Sequence, residues 1–311
     1  MASTDVPKAV LYYFTGSVWS AVALLTAEEK GFTDNELEKR IVNLVKGENF
    51  SPAYLRINPE GLCPTLVVPY AHTVEDGIPT KFKAIKGTVA VADFLDQSTI
   101  RSSAHAAPSL SPATVQRSAE QKDVIELVHK EEVDPNVLML SWRNDDERKQ
   151  KLGGLAGGFL KGRQEALERY AKEVGDSDAS LKAFYTKKIK ENGGLLAQLE
   201  GKQDSSDFQK AAQASWVAVG KALATLESKF EGEGTFLLGE QISLADLHAG
   251  AWFARILAVA GATFLTDVAG AVKALDANLA AGATVGPKVT KWAEELFGRP
   301  SFKSVYAEGL H

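Results

Sequence analysis

The sequence predicts a small α/β domain followed by a larger all-helical domain. Two observations carry the prediction. Over the first hundred residues, short apolar runs and a helix-favouring stretch come in the order β-α-β, then a loop, then β-β-α. After that, nearly every periodic segment steps by three and four residues, as one buried helical stripe should. The composition changes between them, at "STIRSSAHAAPSLSPAT", which is rich in Ser, Ala and Pro and reads as a linker. The domains are therefore expected over residues 1–98 and 113–311, joined by 99–112.

The elements follow in order. "KAVLYYF", from Lys8 to Phe14, is a buried strand that ends in the turn Thr15-Gly16-Ser17. "WSAVALLTAEEK", from Trp19 to Lys30, favours helix, with Gly31 as its C-cap. "LEKRIVNLV", Leu37 to Val45, is a second strand, and a polar stretch then leads to Pro64 and a third strand, "TLVVPY". "TKFKAI" is a fourth strand, and "GTVAVADFLDQS" an amphipathic helix. Farther on, Phe208, Ala211, Ala212, Ser215, Trp216, Val219, Leu223, Leu226 and Phe230 form one helical stripe. Leu152, Leu155, Ala156, Phe159, Leu160, Leu167 and Tyr170 form another in a more charged segment.

Composition narrows the function. The chain has 311 residues, 45% of them hydrophobic, which is enough for a real core. Its net charge of -5, with no basic stripe, argues against a nucleic-acid partner. One cysteine, Cys63, rules out an internal disulfide or a thiolate metal cluster and suits a reducing compartment. No stretch approaches the roughly 20 apolar residues that cross a bilayer, and the first residues lack a leader pattern, so a cytoplasmic location is expected. His72, His105, His129, His248 and His311 show no ligand spacing, and no metal is expected. "GGLAGG" is not a dinucleotide fingerprint and follows no strand. "GSVWS" is neither a nucleophile elbow nor a phosphate loop.

Three separated features agree on one family: "INPEGLCPTLVV" (Ile57 to Val68), the element order of the first hundred residues, and "FLLGEQISLADLHAG" (Phe236 to Gly250). Together they resemble the glutathione transferase superfamily, over about Val10 to Leu95 and Phe208 to the C-terminus. The resemblance implies a thioredoxin-like N-terminal domain and an all-α C-terminal domain, glutathione as co-substrate and, generally, a homodimer. It also implies a cis Pro64 and a residue before it, Cys63, whose main-chain N–H and C=O pair with the cysteinyl backbone of glutathione. In "ISLADL", Ser243 and Asp246 fit a capping box, with Ile242 and Leu247 placed as the hydrophobic staple.

For the γ-glutamyl end, the family's Glu-Ser is replaced by Gly87 and Thr88, so the ammonium group loses its usual partner. The helix N-terminus and the Thr88 hydroxyl remain suited to a carboxylate. Asn49 stands where a related class carries a histidine for the glycyl carboxylate, and Lys46 is a nearby cation. Ser17 falls where serine-type members keep the hydroxyl that donates to the glutathione sulfur. Such a donor, with a helix N-terminus, stabilises the thiolate of a thiol whose ordinary pKa is about 8.5. Ser20 is the alternative donor, or else an N-cap or first-turn residue. Trp19 either walls the substrate site or packs in the core.

Residues from about 143 to 203 are extra relative to a typical member. They read either as a solvated helical extension or as a segment that covers or shapes the electrophile site or mediates partner contacts. A similar insertion occurs in the ganglioside-induced differentiation-associated relatives, and the chain also resembles serine-type fungal transferases. The implied function is attack of activated glutathione on a hydrophobic electrophile, by conjugation or by ether or thioester cleavage, as in detoxification. The alternative is a non-catalytic, ligandin-like protein that binds apolar ligands.

Overall fold

The computed structural model describes residues 8–69, 82–98, 107–230 and 234–310. Four strands form one mixed sheet: β1 (Ala9–Tyr13), β2 (Leu37–Ile41), β3 (Thr65–Pro69) and β4 (Phe82–Lys86), in the spatial order β2-β1-β3-β4. β1 and β2 are parallel, with Leu11 opposite Lys39. β1 and β3 are antiparallel, with Leu11 opposite Leu66, and β3 and β4 are antiparallel, with Leu66 opposite Ile85. The parallel pair requires a crossover, which α1 (Val18–Lys30) supplies. Helix α3 (Thr88–Gln97) packs beside α1, and Leu11, Leu24, Leu37, Leu66, Val91 and Leu95 form their shared core with the sheet. This is the thioredoxin-like domain that the sequence predicts.

The second strand ends earlier than expected. β2 stops at Ile41 because the chain turns over 43–47, where the Glu48 carboxylate accepts the Asn43 N–H at 2.8 Å. The fourth strand runs over Phe82–Lys86 among the described residues, and the first two residues of "TKFKAI" lie outside them. The expected linker also falls partly outside them, over 99–106.

The rest is helical. α4 (Val115–Val128) and α5 (Pro135–Leu140) precede α6 (Asp145–Gly153), α7 (Leu155–Val174) and α8 (Ala179–Leu199). Then come α9 (Ser206–Lys229), α10 (Leu244–Val259), α11 (Val268–Asp276), α12 (Pro287–Phe297) and α13 (Pro300–Val305), while α2 (Pro52–Leu55) is a single turn in the N-terminal domain. The α9 stripe buries Ala212, Ser215, Trp216, Val219, Leu223 and Leu226, although Ala211 faces solvent. The second stripe is not one helix: it breaks between Gly153 and Leu155, at the junction of α6 and α7.

α10 is buried from Leu244 to Leu257 and lies at the centre of the helical domain, as a helix apolar on every side must. Its N-terminus carries the capping box of Ser243 and Asp246. The Asp246 carboxylate also accepts from the Leu237 N–H and the Trp292 indole, each at 2.9 Å. The largest core joins α1 residues Val18, Ala21, Val22 and Leu25 to the C-terminal helices, so α1 is packed into the interiors of both domains. Among the described residues no helix is long and apolar enough to cross a membrane.

Candidate active site

The site begins where β1 ends. The Ser17 N–H donates to the Phe14 carbonyl at 3.0 Å, closing a turn in which a Cβ on Gly16 would sit 2.8 Å from the Phe14 ring. Ser17 is extended (φ −107°, ψ 118°) and caps α1, its Oγ accepting the Ser20 N–H at 3.2 Å. Ser20 is therefore the first-turn residue. It is fully buried, and its Oγ accepts the Phe14 N–H at 3.3 Å. The fold separates the two serines: Ser17 lies on the wall of a cavity, and Ser20 is not part of that wall.

The cavity has a volume of about 510 Å³ and lies between the N-terminal domain and helices α5, α7, α8 and α10. Ser17, Asn49 and Cys63, which are far apart in the sequence, all line it. Cys63 precedes the cis bond to Pro64. Among the described residues, none hydrogen-bonds its main-chain N–H or C=O. Its Sγ lies 3.3 Å from the Tyr54 hydroxyl, which donates to the Leu62 carbonyl at 2.7 Å. Burial pushes the Cys63 thiol up to about 11, so it stays protonated at neutral pH.

Asn49 is buried, and its Nδ2 donates to the Gly61 carbonyl at 2.7 Å, tying the 48–51 turn to the segment before β3. Lys46 is exposed and does not line the cavity; its main-chain N–H is bound to Asn43 Oδ1. Gly87 and Thr88 form the N-terminus of α3, outside the cavity lining. Gly87 has φ +86° and open space at its Cβ position, so its dihedral angle, not crowding, favours glycine there. The neighbouring Lys86 pairs at 3.2 Å with Glu60, which is on the cavity wall.

Among the wall residues that were not legible as site residues in the sequence are Glu60, Arg163, Lys188 and Arg255. Arg255 is 3% exposed and reaches from α10 to the Gly16 carbonyl at 2.5 Å and to Met139 Sδ at 3.3 Å. Burial pushes its guanidinium down to about 10, which leaves it charged at neutral pH. A fixed cation thus holds the residue before Ser17. The signal for it was a single arginine in the apolar run "AWFARILAV".

The 143–203 segment is not merely solvated. Leu155, Phe159 and Arg163 of α7, with Lys188 of α8, form part of the cavity wall. α7 rests on the turn before α2: Gly162 is so close to Val45 that a Cβ would lie 2.6 Å from its carbonyl oxygen. Tyr185 of α8 is fully buried and donates to the Phe50 carbonyl at 2.7 Å. Trp19 also lines the cavity, with its ring stacked on His129 at 3.9 Å between centroids. It thus has a face in the site as well as contacts in the core. Among the described residues, no group of three or more His, Cys, Asp or Glu could hold a metal ion.

Fold and site together define a thioredoxin-like domain joined to an all-helical domain, with a cavity at the junction. Residues 174–300 match the family model for the glutathione S-transferase C-terminal domain. The structure resembles that of the β-etherase LigF from Sphingobium sp. strain SYK-6, at 19% identity and a TM-score of 0.60, covering 97% of this chain and 99% of that one. It also resembles a mutant of human glutathione S-transferase T1-1 in its apo form, at 19% identity and TM-score 0.53, covering 96% and 87%. FzlA from C. crescentus is similar at 17% identity and TM-score 0.51, covering 97% and 92%. Residues 174–300 thus fall in the glutathione S-transferase C-terminal domain family, and the chain shares its fold with these structures.

Proposed function

We propose that this protein is a glutathione transferase in which the Ser17 hydroxyl activates the thiol of bound glutathione. The observation that carries the reading is the position of Ser17: it caps α1 on the wall of the same cavity that Cys63 lines. A hydroxyl donor and a helix N-terminus both favour the thiolate over the thiol. The buried charge of Arg255, bonded to the Gly16 carbonyl, acts in the same direction. The thiol proton leaves to solvent. The thiolate then forms a carbon–sulfur bond to an electrophilic carbon, and the leaving group departs with its electron pair. No paired general base is needed, because glutathione itself is the nucleophile.

The main-chain N–H and C=O of Cys63 suit the cysteinyl backbone of a peptide ligand. Glu60 is a carboxylate on the wall that can take the ammonium group, for which Gly87 offers nothing. Leu62, Met139, Leu140, Leu155 and Phe159 give the cavity an apolar side for the electrophile. An activated ether is one such electrophile, and the β-etherase with a similar fold supports that choice.

The test is conjugation of glutathione to a chloronitrobenzene, together with the ultraviolet thiolate absorbance of the bound peptide. Ser17→Ala is expected to lower kcat/KM by about 10- to 100-fold and to raise the pKa of bound glutathione by about 1–2 units, since each unit is about 1.4 kcal/mol. An unchanged thiol pKa in Ser17→Ala sinks the serine mechanism. Gly87 in place of an acidic residue favours a second reading, an apolar-ligand carrier. That reading predicts ligand binding independent of glutathione and no turnover.

A further inference from the structure

We propose that Arg163 of α7 binds the glycyl carboxylate of glutathione, so that the α7–α8 hairpin closes one end of the glutathione site. The inference rests on the glutathione reading above. It starts from a cation without a matching acceptor. The Arg163 guanidinium lies over the Phe50 ring at 5.0 Å and over the Phe159 ring at 5.1 Å, and all three residues line the cavity. Its Nε is enclosed with no partner, and among the described residues the guanidinium makes no hydrogen bond, although the Glu191 carboxylate, paired with Lys188, acts on it through space. Two aromatic faces offset part of the cost of holding a charge there. They leave its planar fork of donors unused, and that fork matches a carboxylate in a bidentate pair.

The other cations on the wall are already engaged. Lys188 donates to Glu191 Oε2 at 3.0 Å, and Arg255 is held by the Gly16 carbonyl and Met139. Lys46, the cation nearest in sequence to Asn49, lies off the wall. Arg163 is also at the correct end. It stacks on Phe50, the residue after Asn49, whereas the sulfur end is defined by Ser17 and Cys63. A peptide laid along the Cys63 main chain, with its sulfur towards Ser17, carries its C-terminal carboxylate towards this guanidinium. A residue of the helical domain, outside the thioredoxin-like domain, thereby sets the preference for a free C-terminal carboxylate.

The experiment is a calorimetric titration with glutathione and with its glycine amide, in which a carboxamide replaces the terminal carboxylate. The wild type is expected to bind glutathione at least about tenfold more tightly than the amide. Arg163→Gln is expected to bring the two affinities within about twofold, mainly by weakening glutathione, and Arg163→Lys to restore part of the preference. The inference is overturned if Arg163→Gln weakens both ligands equally, as a purely structural role requires, or if it leaves the preference intact. A wild type that binds neither ligand overturns the glutathione reading itself, whereas one that binds both equally removes only the role of Arg163.

Discussion

Ser17 and Ser20 lie three residues apart, and their hydroxyls meet different surroundings. Ser20 Oγ is enclosed and accepts the half-buried Phe14 N–H, so Ser20→Ala leaves that donor without this partner. That change is expected to lower stability by about 1–3 kcal/mol while leaving the pKa of bound glutathione near its wild-type value. Ser17→Ala loses the cap of α1, about 1 kcal/mol, and also the thiol shift. Urea unfolding and thiolate absorbance on both variants separate the roles, and equal thiol shifts in the two would defeat the distinction. The sequence narrowed the choice to these two positions but left it open, because both lie on the helix start and propensity does not show which one faces a cavity. Arg163 and Arg255 were less legible still. A cation on a helix reads as solvated until tertiary structure brings Phe50 or the Gly16 carbonyl against it.

At the scale of elements, legibility followed local determinism. The cap of α10 was readable because Ser243 and Asp246 are neighbours whose hydrogen bonds depend on spacing alone. The two further donors to Asp246, from Leu237 and Trp292, come from the fold and make the carboxylate a junction for three segments. Asp246→Ala leaves these donors buried and unpaired and is expected to cost on the order of 3–5 kcal/mol, read as a drop in the urea midpoint. Asn at this position is expected to recover part of the loss, because its Oδ1 still accepts from Leu237 and Trp292 while its Nδ2 faces the Ser243 N–H. The contact of α7 with the turn over 43–47 was not readable, since it depends on glycines that close a gap between distant segments. A Cβ on Gly47 would meet the Ala166 Cβ at 2.4 Å, and one on Gly162 the Val45 carbonyl at 2.6 Å. Gly162→Ala is therefore expected to lower stability by about 1–3 kcal/mol through overpacking. If α7 closes the site, the same change weakens glutathione binding several-fold. A stability loss with unaltered affinity would show that this contact supports the fold without supporting the site.

For the whole molecule, the division into an α/β and a helical half was visible from periodicity, but the manner of their joining was not. α1 belongs to both interiors, and the Glu29 carboxylate at its end receives the Arg299 guanidinium, at 2.7 and 2.8 Å, and the Ser301 hydroxyl, from the far end of the chain. A third tie joins buried imidazoles. His129, at the end of α4, stacks on Trp19 of α1, and its Nε2 lies 2.8 Å from Nδ1 of the fully buried His248 in α10. One ring must donate and the other accept, which suits two neutral imidazoles. Burial pushes His129 down to about 4, and burial with the neighbouring His129 pushes His248 well below its usual range. In the unfolded chain both titrate near 6.5, so between there and about 4 the unfolded state binds more protons, and stability falls as pH falls through that window. Above it the pair contributes no pH dependence. For His129 alone the loss from pH 7 to pH 5 is about 2 kcal/mol, at about 1.4 kcal/mol per unit. Urea midpoints at the two pH values measure it, and His129→Gln, which removes one of the two titrating rings, is expected to flatten the difference by about half. Since the pair lies between α1, α4 and α10, the transition should remain a single cooperative one at both pH values. An acid-induced transition in which one domain unfolds before the other would contradict the shared core.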